Sequence, residues 1–377
     1  MPRRRATLKP LGWTVFFVLY FFSLRAQTTY VFTADDKTFR EAQELFDKGK
    51  YGAAQHQFQN YIELGRNDTR TVDAQYYVAI TGLYLENGDA EAMIERFIAS
   101  HPDHPKALSA YYELGSYYAN QKKYDKAIDY LQKVDASQLS REQAAEAQFK
   151  LAYAYFSKQQ FKEAGPIFNE LKRSENKYTY PSSYYAGYIE YRNGQYDQAL
   201  GDLRKAAKSP EYAPLVPYMI VNVYYKQGQY DELIRYAETA MQSKDIRNAD
   251  DVYMLVGEAY YRKGDYAKAA TYFKESVTKS KTRPAADVAY RLAYSQYKTG
   301  DFKGAAENFK PAAAATKDTL SQYAAYYLGV SYLQTGNKTF ALTALDQARK
   351  GKYNKELARP SWASESWQCC PAAPRPE

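Results

Sequence analysis

The chain has 377 residues, of which 45% are hydrophobic and 25% charged, the balance of a folded soluble protein. Its formal net charge is +8, but Arg3, Arg4, Arg5, Lys9 and Arg25 supply five of those charges before residue 27, which leaves +3 over the rest. Without clustered basic residues the long remainder has no footprint for phosphate binding, so nucleic acid is not expected as a partner.

The first 26 residues read as an export signal. A basic start is followed by the apolar stretch Leu11–Leu24 and then by Ala26, a small residue at a plausible cleavage point. Fourteen apolar residues fall short of the roughly 20 that a membrane-spanning helix needs, so membrane attachment is expected only if this segment stays uncleaved. A periplasmic location follows as the expectation, with an inner-membrane anchor as the lesser alternative. The two cysteines, Cys369 and Cys370, are adjacent and near the end, so the body of the chain needs no disulfide.

From residue 35 to 350 a turn signature recurs. It runs Gly-Lys-Tyr51-x-x-Ala54, Lys-Lys-Tyr124-x-x-Ala127, Gln-Gln-Phe161-x-x-Ala164, Gly-Gln-Tyr196-x-x-Ala199, Gly-Gln-Tyr230-x-x-Leu233, Gly-Asp-Tyr266-x-x-Ala269 and Gly-Asp-Phe302-x-x-Ala305. From Tyr124 onward the aromatics are spaced 37, 35, 34, 36 and 36 residues apart. Weaker copies stand at Gly88-Asp89 and Gly336-Asn337, making nine units. Around Gly264, the residues Tyr253, Val256, Gly257 and Tyr260 share one helical face before the turn; Ala269, Tyr272, Phe273 and Ser276 share one after it. The glycine allows a left-handed helix end, the small residue lets two helices approach, and Pro105, Pro181 and Pro284 fall between units.

These residues resemble the tetratricopeptide repeat. Tyr111-x-x-Leu114-Gly115-x-x-Tyr118 and Tyr253-x-x-Val256-Gly257-x-x-Tyr260 follow its pattern, as do Leu328-Gly329-x-x-Tyr332, Ala341, Leu345 and Ala348. Ala289 and Gln296 depart from it, standing where the family prefers aromatics. The resemblance implies an all-α fold, a right-handed superhelical solenoid of about nine antiparallel helix-turn-helix repeats whose first helices line a concave groove. Such units bury their apolar faces only against neighbours.

In that groove the resemblance places a tyrosine-rich partner site, and tyrosine is the compositional anomaly here, with 41 residues. The expected ring positions are Tyr112, Phe149, Tyr153, Tyr184, Tyr188, Tyr191, Tyr218, Tyr225, Tyr261, Tyr290, Tyr294 and Tyr297. Phe156 falls in one of the same rows. A cation follows in four consecutive units, Arg192, Lys226, Arg262 and Lys298. Aromatic rings give large rigid contact area with a polar tip, and a basic edge favours acidic ligand groups. Part of the ring set is expected to pack between helices, and Lys or Arg near a helix C-terminus also suits the helix dipole. Other proteins or extended peptides are the expected partners, with glycan as the alternative because rings also stack on sugars. The clamp with which chaperone-binding members of the family hold a terminal carboxylate lacks its Lys and Asn here.

Catalysis, cofactors and metals are not expected. His101 and His104 flank Asp103 at a junction between units, and no phosphate loop, zinc-ligand pair or nucleophile motif occurs. Residues 351–358 look like the entry to a truncated tenth unit. Residues 359–377, with Trp362, Trp367, Cys369 and Cys370, are expected to be a disordered tail, read from a shifted frame or marking a fragment of a longer array.

Overall fold

A computed structural model describes residues 34–352 apart from 66–67, 244 and 316–317. The expected export signal and everything after residue 352 lie outside the described residues. Among those described, eighteen α-helices and one short 3-10 turn account for the regular structure, with no strand. No described helix is long and apolar enough to cross a membrane.

The helices belong to two compact units. The first holds α1 (Ala34–Asp47), α2 (Tyr51–Glu63), α3 (Thr69–Tyr84), α4 (Ala90–Ser100) and α5 (Pro105–Asn120) as far as residue 117, with 133–138. In it α1 packs on α2 and α3 on α4 as hairpins, and α2 also packs on α3. Phe58 and Tyr61 of α2 are fully enclosed, and the Phe39 ring of α1 meets theirs edge-on.

The second unit comprises 118–132 and 139–352. It contains α6 (Tyr124–Leu131), α7 (Arg141–Ser157), α8 (Phe161–Leu171), α9 (Thr179–Arg192), α10 (Tyr196–Ala206), α11 (Val216–Gln227) and α12 (Tyr230–Ala240). It continues with α13 (Ala249–Lys263), α14 (Tyr266–Lys279), α15 (Ala286–Lys298), α16 (Phe302–Ala315), α17 (Thr319–Gln334) and α18 (Lys338–Lys350). From α7 onward each odd-numbered helix forms a hairpin with the next, and each hairpin packs on its successor. First helices also touch across units, α9 with α11, α11 with α13, α13 with α15 and α15 with α17. The all-α repeat-solenoid class is therefore the observed one.

Local chemistry explains the hairpins. Gly194, Gly228, Gly264, Gly300 and Gly336 all take φ between 70° and 83°, the left-handed conformation that ends the first helix and frees the chain to reverse. At the same station Lys122 and Gln159 adopt φ 58° and 60° without being glycine. The copy expected at Gly88-Asp89 is displaced. Its left-handed residue is Glu86, and the next helix starts only at Ala90, so the turn is longer there.

Close approach within a hairpin comes from glycines as well as alanines. A Cβ on Gly257 would stand 2.8 Å from the Phe273 ring, and one on Gly329 would stand 2.5 Å from Leu345 Cγ. The second helix therefore lies against the bare backbone of the first, and Phe168, Phe273 and Phe309 fill the gap with no exposed surface. Repeats are also tied at their ends. Lys158 reaches back to Asp125 at 2.9 Å, Gln227 to Asp197 at 3.3 Å, and Lys263 to Asp231, each one repeat apart.

Candidate functional site

Of the expected ring positions, Tyr112 lies in the first unit and the others in the second. Two are core residues rather than surface. Tyr112 is 8% exposed, and Tyr290 is 3% exposed, edge-on to Phe309 and Tyr327. Their neighbours enclose them, so neither presents a face to a partner, which corrects the expectation for both. Phe149, Tyr153, Tyr184, Tyr188, Tyr191, Tyr218, Tyr225, Tyr261, Tyr294 and Tyr297 are all half-buried.

These half-buried rings fall into different settings. Tyr294 and Tyr297 lie 5.1 and 5.2 Å from the buried Tyr327, and Tyr261 lies 6.0 Å from Tyr294, so this cluster is spent largely on packing. Tyr225 leads into a polar network. Its hydroxyl lies 3.4 Å from the carboxylate of Glu258, a buried side chain that Arg262 meets at 2.8 Å and Arg291 at 3.1 Å. Burial, and then the Glu258 charge, push the Tyr225 phenol up. Three successive first helices, α11, α13 and α15, are joined through that one carboxylate.

The open setting lies between α7 and α9. A cleft of about 460 Å³ is lined by Tyr153 and Phe156 of α7, Phe161 at the start of α8, and Tyr184, Tyr185 and Tyr188 of α9. Ser157, Gln159 and Arg192 complete it. Its rings brace one another edge-to-face. Tyr153 stands 5.4 Å from Tyr185, and Phe156 stands 4.8 Å from Tyr185 and 5.2 Å from Tyr188. Burial raises the phenols of Tyr184 and Tyr185 above their ordinary value. The volume falls in the range of ligand clefts, and its ring faces are interleaved with phenol hydroxyls, Ser157, Gln159 and Arg192, so the lining is polar as well as aromatic. The first unit has a smaller cleft of about 310 Å³ between Ile62, Val78, Met93 and Phe97, edged by Arg96 and His101 but with one aromatic wall.

The expected cations separate likewise. Arg262 is held by Glu258 and Tyr225, and Lys298 lies 5.6 Å over the Tyr266 ring. Arg192 lies 5.4 Å over the Phe161 ring at the cleft, and Lys226 is exposed at the end of α11. Tyr185, Phe161 and Glu258 were not among the expected site residues. Phe161 was visible as the turn aromatic, and Glu258 as the acid at the helical station of Tyr188 and Tyr294; the burial of Glu258 and the approach of Phe161 to the α9 row were not legible in a single sequence. Among the described residues no group of His, Cys, Asp and Glu side chains is arranged to hold a metal ion.

The repeated hairpins, their left-handed glycines and the glycine-to-ring approach all follow one pattern. A family model described as tetratricopeptide repeat matches residues 85–140, 218–284 and 290–355, about half of the chain, and a second of the same description matches 146–174. The chain belongs to the tetratricopeptide repeat family. Among solved structures it is similar to the C-terminal part of a TPR repeat-containing protein from Cytophaga hutchinsonii, at 18% identity and a TM-score of 0.51, over 66% of this chain and 98% of that one. It is also similar to YrrB, a TPR protein with an unusual peptide-binding site, at 20% identity and a TM-score of 0.43, over 51% of this chain and 95% of that one. At these identities the likeness concerns the fold. No curated protein matches the chain. As a tetratricopeptide repeat protein, it has the build of a scaffold for protein–protein interaction.

Proposed function

We propose that this tetratricopeptide repeat protein is a non-catalytic adaptor of the cell envelope, holding an extended peptide segment of a partner protein in the cleft between α7 and α9. The observation that carries this reading is the cleft itself: six aromatic rings and one guanidinium around about 460 Å³. Rigid rings with few rotatable bonds lose little entropy on binding, which suits capture of a chain that must itself become ordered.

Peptide is favoured over glycan by how the rings are set. Sugar stacking needs open flat faces, whereas Tyr153, Phe156, Tyr185 and Tyr188 meet at interplanar angles of 61° to 70°, each edge covering a neighbour's face. Peptide and glycan arrays probed with the chain and with its Tyr184→Ala and Tyr188→Ala forms test this. Peptide binding that both substitutions weaken supports the reading; peptide binding unchanged in both, or binding to glycan alone, contradicts it.

The envelope location rests on the basic start Arg3-Arg4-Arg5 and the apolar stretch from Leu11 to Leu24. Amino-terminal sequencing of the exported protein is expected to begin at Gln27. A chain that keeps Met1 and stays in the cytosol counts against export.

A further inference from the structure

We propose that the peptide bound between α7 and α9 supplies a carboxylate to Arg192 while an aromatic or large apolar side chain next to it enters the ring-lined cleft. This rests on the reading of the cleft as a peptide site and goes further, by stating which residues the peptide carries.

The case comes from four equivalent positions compared with one another. Arg192, Lys226, Arg262 and Lys298 each occupy the last turn of a first helix. The residue one helical turn earlier faces the same way and is Tyr188, Asn222, Glu258 or Tyr294 respectively. Only Arg262 has a built-in carboxylate, with Nε 2.8 Å from Glu258 Oε1. At Arg192 the acid is replaced by Tyr188, a wall of the cleft, and the guanidinium lies over the face of Phe161 instead.

No carboxylate lines the cleft. The contact with the Phe161 ring engages no hydrogen-bond acceptor, and the edge of a guanidinium matches a carboxylate in two parallel hydrogen bonds. The same fold therefore neutralises one arginine of the row internally and leaves another charged beside a ring-lined cleft. A ligand combining an apolar anchor with an adjacent acid satisfies both features at once.

Random dodecapeptides displayed on phage and selected on the full chain test the assignment. Selection is expected to enrich an aromatic or large apolar residue with Asp or Glu within two positions. The peptides recovered should bind Arg192→Gln about tenfold more weakly, the size of one charge-assisted hydrogen-bond contact. Selection on Arg192→Glu should replace the acidic preference by Lys or Arg. Arg192 is exposed, so both variants are expected to melt with the native chain. Peptides that carry no acid and bind Arg192→Gln at full strength, yet are lost on Tyr188→Ala, overturn the carboxylate assignment and leave the cleft standing. Peptides indifferent to Tyr188→Ala as well, or no enrichment at all, overturn the cleft reading together with it.

Discussion

Gly264 and Gly257 stand seven residues apart and do opposite kinds of work. At Gly264 the backbone takes φ 79° with open space where a Cβ would sit. Gly264→Ala is therefore expected to cost about 1 kcal/mol, from backbone conformation alone. At Gly257 the backbone is ordinary helix, but an added methyl would stand 2.8 Å from the fully buried Phe273 ring. Gly257→Ala is expected to cost about 1–3 kcal/mol as the hairpin is forced apart. Urea midpoints of the two variants measure the difference, and equal small losses would contradict the close-packing account. The turn glycine was legible from the recurring Gly-x-aromatic signature. The left-handed Lys122 and Gln159 were not, because those residue types do not announce a positive φ.

Between elements, two buried acids tie helices together, Glu258 across successive first helices and Glu190 between a first helix and the second helices beside it. Glu258 of α13 is 3% exposed and pairs with Arg262 on its own helix and Arg291 on α15. Removing a buried ionic partner is costly, but the two arginine side chains remain 47% and 30% exposed, so water takes up part of the loss. Glu258→Ala is expected to destabilise the second unit by about 2 kcal/mol, read as earlier urea unfolding. A neutral effect would mean that the network is solvated.

Glu190 of α9 faces Lys172, at 3.2 Å, and Asp202 of α10, which Lys172 also bonds; Lys205 in turn donates to the Lys172 carbonyl. Burial, and then the Asp202 charge, push the Glu190 carboxyl up from 4.5 to about 7. The folded state thus holds a proton that the unfolded chain has released between those values. Its stabilising contribution is complete below pH 4.5 and is lost as pH rises through about 7. Glu190→Gln should remove that dependence, gaining about 3 kcal/mol on the native chain between pH 4.5 and pH 8. Parallel stability profiles for the two proteins would show that Glu190 titrates normally. The cation row was readable because Lys or Arg recurs at one helical station. Which cations are already engaged was only partly legible: Glu258 stands four residues before Arg262 on the same helix, but Tyr225, Tyr266 and Phe161 come from helices a repeat away.

At the scale of the whole molecule, the repeat pattern and the all-α class were legible because the period is carried by many weak constraints that agree: turn, small residue, core ring and junction proline. Binding surface was less legible. Tyr112, Tyr290 and Tyr294 obey the same spacing as Tyr184 and Tyr188, yet the first two are core and the third is packed around Tyr327. Spacing states which face of a helix a ring occupies; how closely the next helix covers that face depends on side chains elsewhere in the stack.

The central claim is that the cleft between α7 and α9 is where a partner's chain binds. A photo-reactive benzophenone residue placed at Ser157, on the cleft wall, and separately at Thr239, on the exposed side of α12, tests it with a peptide recovered by selection on the chain. Crosslinking from Ser157 that unlabelled peptide competes away, with none from Thr239, is the expected result. A peptide that binds but labels Thr239, or fails to label Ser157, would contradict the account.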